Sequence, residues 1–106
     1  MSIQPQTGLN CDLQTVKKQV FEIETYDTFL GDRIDNVRFG WESYGTLNDA
    51  KDNGVLILHP LLLYGHAAGR YDPSDRRPGY WDSIIGPGKV IDTDRYFVIA
   101  ADSLCN

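Results

Sequence analysis

The sequence predicts an α/β fold in which an antiparallel hairpin leads into a parallel sheet that the chain leaves incomplete. Two early runs alternate with period two, the pattern of strands with one solvated face. Two later runs, Gly54 to Leu58 and Tyr96 to Ala101, are continuously apolar, the pattern of strands covered on both faces. Between these two lies a long segment without a convincing amphipathic helix.

Taken in order, residues 1–19 are polar and without a clear period, and read as an arm that becomes ordered on docking. Residues 20–106 read as one partial α/β domain. Val20, Glu22 and Glu24 alternate with Phe21, Ile23 and Thr25, which predicts a strand over Val20 to Tyr26. Asp27 to Asn36 contains Gly31-Asp32 and reads as a turn or loop. Val37, Phe39, Trp41 and Ser43 share one face of a second strand ending at Tyr44. The two strands pair as a hairpin. Gly45 to Asn53 is loop-like, and Gly54 to Leu58 is the first apolar strand. His59 to Gly79 holds three prolines and three glycines and reads as an irregular excursion; loops of that length tend to carry function. Tyr80 to Ile85 fits one helical turn, ended by Gly86-Pro87-Gly88. Tyr96 to Ala101 is the second apolar strand.

A parallel pair needs a crossover connection, and strands apolar on both faces need covering layers. This chain supplies almost no helix to cover them, so the missing layers are expected downstream. A small α+β domain whose helices escape this reading is the alternative.

The chain has 106 residues, a net charge of −5 and a pI of about 4.7. Phosphate binding needs a basic footprint, so nucleic acid is excluded as a partner, and an anionic membrane surface likewise. No apolar run approaches the length of a bilayer span. Met1 to Gln19 has no apolar core of a secretory signal, so a cytoplasmic location is expected. Cys11 and Cys105 therefore read as free thiols rather than as a disulfide.

Several motifs fail on inspection. Gly86-Pro87-Gly88-Lys89 lacks the earlier glycine of a phosphate loop, with Ser83 in that place and Val90 where Ser or Thr belongs. The dinucleotide fingerprint fails at Ile91. His59 and His66 match no zinc spacing, and His59 is expected to end a strand and bond to loop backbone. Asp72, Asp75, Asp92 and Asp94 read as caps and turn formers. No Gly-x-Ser-x-Gly nucleophile elbow occurs.

Five ordered stretches carry a family resemblance. They are Trp41-Glu42-Ser43-Tyr44-Gly45-Thr46-Leu47-Asn48, His59 to Gly69, Pro78-Gly79-Tyr80-Trp81-Asp82, Ile85-Gly86-Pro87-Gly88-Lys89 and Asp92 to Ile99. Together they resemble the N-terminal part of the homoserine O-acetyltransferase family. The resemblance implies the N-terminal portion of an α/β-hydrolase fold. It also implies transfer of an acetyl group from acetyl-CoA, as co-substrate, to the hydroxyl of homoserine through a serine acyl-enzyme. Relatives use other acceptors, or succinyl-CoA as donor. No bound cofactor or metal is implied, and the partners are small-molecule substrates. Serine, aspartate and histidine of the triad lie beyond the region matched. One catalytic element should be present, a backbone oxyanion-hole donor in the loop after the third strand, and by motif position it is the amide of Leu61.

The chain departs from the family pattern at that loop. A small residue, leucine, Ser or Thr, and glycine commonly follow the histidine; here they read Pro60, Leu61, Leu62 and Leu63. Leu63 would resist a backbone shape that suits glycine. The Asn usual after the fourth strand is Asp102. Three readings follow: a fragment of an acyltransferase that is inactive alone, a hydrolase of the same fold with water as acceptor, and a non-catalytic remnant. The third would act through exposed strand edges, which also invite self-association.

Overall fold

The computed structural model describes residue 13 and residues 15–104. Six strands form: β1 (Gln19–Asp27), β2 (Arg33–Tyr44), β3 (Gly54–Leu58), β4 (Ile85–Gly86), β5 (Ile91–Asp92) and β6 (Phe97–Ala101). The expected hairpin is present. β1 and β2 pair antiparallel, with Phe21 opposite Phe39 and Ile23 opposite Val37. The two phenyl rings touch at 5.1 Å between centroids. The turn is shorter than the sequence suggests. It is closed by Thr28 and Asp32, whose backbone groups bond at 2.7 Å, with Gly31 at φ 97° between them. β2 begins at Arg33 because the outer end of a two-stranded ribbon is wet on both sides. Charged residues there hide a strand from any apolar pattern.

β3 and β6 pair in parallel from Gly54–Phe97 to Leu58–Ala101, and β6 pairs antiparallel with β2 from Trp41–Ala101 to Tyr44–Val98. The sheet order is β1-β2-β6-β3. The parallel pair expected from the two apolar runs thus sits in a mixed sheet. Its crossover, residues 59–96, contains no α-helix; Ile85 N–H bonds to Trp81 C=O at 3.0 Å in the single helical turn expected there. β4 and β5 form a two-residue parallel bridge around Gly86-Pro87-Gly88. The Asp92 carboxylate accepts N–H bonds from Gly88 and Asp94 at 2.8 and 2.9 Å. The segment is a carboxylate-filled turn, with no amide nest left for a phosphate.

The crossover covers one face of the sheet. Tyr44, Val98, Ala100 and Ile57 point into it and pack with Ala67, Ala68 and Ile85. A Cβ on Gly79 would lie 2.1 Å from Ala68 N, so residue 79 lies directly on the 67–68 backbone and only glycine allows it. Burying Ile85 and Val98 fully stabilises by ~1.5–3 kcal/mol each. The exposed pairs Glu22–Arg38 and Asp27–Arg33, both at 2.9 Å, contribute ~0–1 kcal/mol. This closed face, not surface charge, holds the fold.

The other face is bare. Phe21, Phe39, Trp41, Leu56, Leu58 and Ile99 line an open apolar hollow of about 660 Å³. The expectation that β3 is covered on both faces is met on one only: Ile57 is buried, whereas Leu56 and Leu58 are 63% and 77% exposed. The part of the crossover that packs on the sheet, around Ala67, Ala68 and Ile85, lies on the Ile57 side.

Candidate functional site

Parallel β3 and β6 end side by side at Leu58 and Ala101. In α/β sheets, ligands bind beyond the carboxyl ends of such strands. The residues that follow are His59 and Asp102. His59 Nδ1 lies 2.8 Å from the Pro60 carbonyl oxygen, and Nε2 accepts the Ser103 N–H at 3.3 Å. Both ring nitrogens therefore meet backbone, as expected for a strand-ending histidine.

Pro60 to Leu63 then form a β-turn, closed by Leu63 N–H to the Pro60 carbonyl at 3.0 Å. Leu61 and Leu62 stand at its tip, more than nine-tenths exposed. Among the described residues the Leu61 N–H enters no hydrogen bond. Leu63 does not adopt the positive φ that a glycine there would supply; the non-glycine residues with positive φ are Asn36 and Lys51. The turn has a backbone that leucine tolerates.

Past the turn, every residue from 65 to 69 is fastened. Gly65 N–H donates to Asp102 Oδ1 at 2.7 Å. His66 Nδ1 lies 2.8 Å from Glu42 Oε2. Ala67 and Ala68 N–H both donate to the Tyr44 hydroxyl oxygen, at 3.1 and 3.0 Å. Gly69 N–H donates to Asp82 at 2.8 Å. Trp81 N–H bonds to the Ala67 carbonyl at 2.7 Å, which lays the Pro-Gly-Tyr-Trp-Asp segment along the loop. Asp72 and Asp75 accept bonds from Ser74, Tyr71 and their own turn, as expected of turn formers.

Glu42 is the hub of this fastening. It is fully buried, yet its carboxylate accepts from the Tyr44 and Tyr71 hydroxyls as well as facing His66. The Tyr71 ring stacks on His66 at 4.0 Å. Burial pushes the Tyr44 and Tyr71 phenols well above their usual range, and the hydrogen bond to Glu42 and its charge push the same way. Burial, then the Glu42 charge, also raises Tyr80, whose buried hydroxyl has no partner among the described residues. The sequence reading singled out His66 but not this partnership. A signal was available: Glu42 shares the inward parity of Tyr44, opposite Trp41 and Ser43, and a carboxylate inside a strand needs donors. Among the described residues no three His, Cys, Asp or Glu side chains converge as metal ligands would. No helix among them is long and apolar enough to cross a membrane. Cys11 and Cys105 lie outside the described residues.

No family model matches the chain. Homoserine O-acetyltransferase from Methanococcoides burtonii is 50% identical over 74 residues, 70% of this chain and 15% of that relative. The crystal structure of homoserine O-acetyltransferase from Bacillus anthracis matches with a TM-score of 0.84 and 48% identity, over 89% of this chain and 25% of that one. Over this span the chain is similar to the N-terminal part of homoserine O-acetyltransferases. The resemblance drawn from five sequence blocks is borne out, and the fold is part of an α/β-hydrolase fold, incomplete here. A second solved structure, esterase E22, matches at 60% identity and a TM-score of 0.84, over 87% of this chain and 25% of that one. Against the homoserine O-acetyltransferases the chain spans a quarter of the length or less.

Proposed function

We propose that this chain supplies the oxyanion loop of an acyltransferase that moves an acyl group from acyl-CoA to a hydroxyl acceptor of the homoserine type. The observation that carries the reading is the Pro60–Leu63 turn. It stands at the carboxyl ends of two parallel strands, is fastened on both sides, and leaves the Leu61 N–H unspent. In acyl transfer a carbonyl oxygen gains negative charge as the nucleophile attacks. A fixed N–H aimed at that oxygen stabilises the transition state more than the ground state. The nucleophile, its base and the orienting carboxylate are not among these 106 residues, which hold no Gly-x-Ser-x-Gly elbow. The chain alone is therefore inactive in this reading. CoA enters as a co-substrate, with no resident cofactor. The setting is cytoplasmic, where activation of the homoserine hydroxyl serves methionine biosynthesis.

The test is a chimaera in which this chain replaces the matched segment of the Bacillus anthracis acetyltransferase. Leu61→Pro deletes one N–H that enters no hydrogen bond among the described residues, and lowers kcat about a hundredfold or more. An unchanged rate in a folded chimaera rejects Leu61 as the donor. Partition of the acyl group between homoserine and water separates a transferase from an esterase. The chain by itself gives no burst of CoA from acetyl-CoA, and a stoichiometric burst would overturn the claim of inactivity.

A further inference from the structure

Both ends of the Pro60–Leu63 turn are tied to consecutive residues at the end of β6. At the near end, Leu58 pairs with Ala101. At the far end, the Gly65 N–H meets the Asp102 carboxylate at 2.7 Å. We propose that Asp102, with Lys18 holding its second oxygen, is the positioning residue for the loop that presents the Leu61 amide. The proposal rests on the acyl-transfer reading for its catalytic consequence, but its geometry stands apart from it.

Asp102 is itself rigidly placed. Its N–H donates to the Gly40 carbonyl at 2.9 Å, which extends the β2–β6 pairing by one bond. Oδ1 is spent on Gly65, and Oδ2 lies 3.0 Å from Lys18 Nζ. The side chain is only 15% exposed, so water competes little for either oxygen. The junction has no slack. A Cβ on Gly65 would lie 2.8 Å from Ala101 C and 3.0 Å from Asp102 Oδ1, and one on Gly40 would lie 2.4 Å from Lys18 Cε and 2.8 Å from Asp102 Oδ2. Two glycines thus open the space that one carboxylate and one lysine fill. An asparagine, which the resemblance places here, also offers an oxygen to Gly65 but carries no charge to balance. The aspartate adds a charge, and Lys18 answers it from the segment that precedes β1. The loop and the residues before β1 are joined at the Asp102 carboxylate, and its backbone N–H ties the same residue to β2.

The test uses the full 106-residue chain and compares Asp102→Ala with Asp102→Asn. Nuclear magnetic resonance should show a scalar coupling across the hydrogen bond between the Gly65 nitrogen and the Asp102 carboxyl carbon. In Asp102→Ala the Gly65 amide should exchange with solvent about tenfold faster or more, while the Phe97 amide, bonded to the Asn53 carbonyl at the opposite end of the β3–β6 pair, is unchanged and reports an intact sheet. Asp102→Asn should restore protection to within about threefold. Absence of the coupling, unchanged Gly65 exchange in Asp102→Ala, or equal loss in both variants would overturn the proposal. In the chimaera, Asp102→Ala should lower kcat about tenfold to a hundredfold with KM little changed, and Asp102→Asn should recover most of it. Equal kcat in all three chimaeras would overturn the catalytic consequence. A wild-type chimaera without activity counts against the acyl-transfer reading alone, because the Gly65 amide judges Asp102 without turnover.

Discussion

The Glu42 carboxylate and the His66 imidazole lie 2.8 Å apart across the closed face of the sheet, and the carboxylate is fully buried. Two phenol hydroxyls, from Tyr44 and Tyr71, complete its shell. A buried charge so surrounded is a fastening whose failure costs more than its presence contributes. Glu42→Ala leaves three donors facing a void and should destabilise the chain by ~3–5 kcal/mol. Glu42→Gln keeps one acceptor and turns an NH₂ toward the other donor, at a cost of ~1–3 kcal/mol. Urea unfolding at neutral pH measures both. A Glu42→Ala variant as stable as the parent would show that the network is ornamental.

The tyrosines around Glu42 give the chain a defined alkaline limit. Tyr44, Tyr71 and Tyr80 all have phenols raised above the ordinary value of 10.0, by burial first and by Glu42 second. The folded state therefore favours the protonated phenol more than the unfolded state does. Their contribution is fully present below about pH 10 and is lost as pH climbs through and above that value. Absorbance at ~295 nm should show Tyr44, the buried one of the three, ionising only with unfolding, in a cooperative step. Free, gradual ionisation of all six tyrosines at the ordinary pH would contradict the burial of Tyr44.

The bare face makes a prediction of opposite kind. In a strand covered on both sides, shortening a leucine costs ~2–5 kcal/mol. Leu56 and Leu58 are mostly exposed. Replacing Leu56 by Thr and Leu58 by Lys should change stability by no more than about 0.5 kcal/mol. The same pair should reduce concentration-dependent self-association, read by sedimentation velocity, because it removes apolar surface beside an open strand edge. A loss of several kcal/mol would mean that these leucines are covered in solution.

The parts of this fold that were legible in the sequence are those written in local periods. Alternation around Phe21 and Phe39 marks the hairpin, and the apolar runs around Ile57 and Val98 mark the parallel pair. The sheet order was not legible, because the pairing of β6 with both β2 and β3 joins residues far apart in sequence and leaves no local trace. The outer end of β2, from Arg33 to Asn36, escaped detection because a strand wet on both faces needs no apolar residues. At the candidate site, the motif located the turn and Leu61. It could not show that Glu42 and Asp102 fasten that turn's far side, since each partner lies tens of residues away. Leu63 was expected to resist the loop's backbone; the loop instead closes as a turn that leucine accommodates.

The place of β6 in the sheet sets a timetable for folding. It lies between β2 and β3, yet it is the last of the three to be synthesised. Until residues 97–101 leave the ribosome, β3 has no partner, and the crossover has only the Glu42 and Tyr44 end of β2 to close upon. The hairpin can form early, because its contacts are local and its loop short. The remainder must wait, with the apolar side chains of β3 held open, and then assemble in one late step around the newest strand.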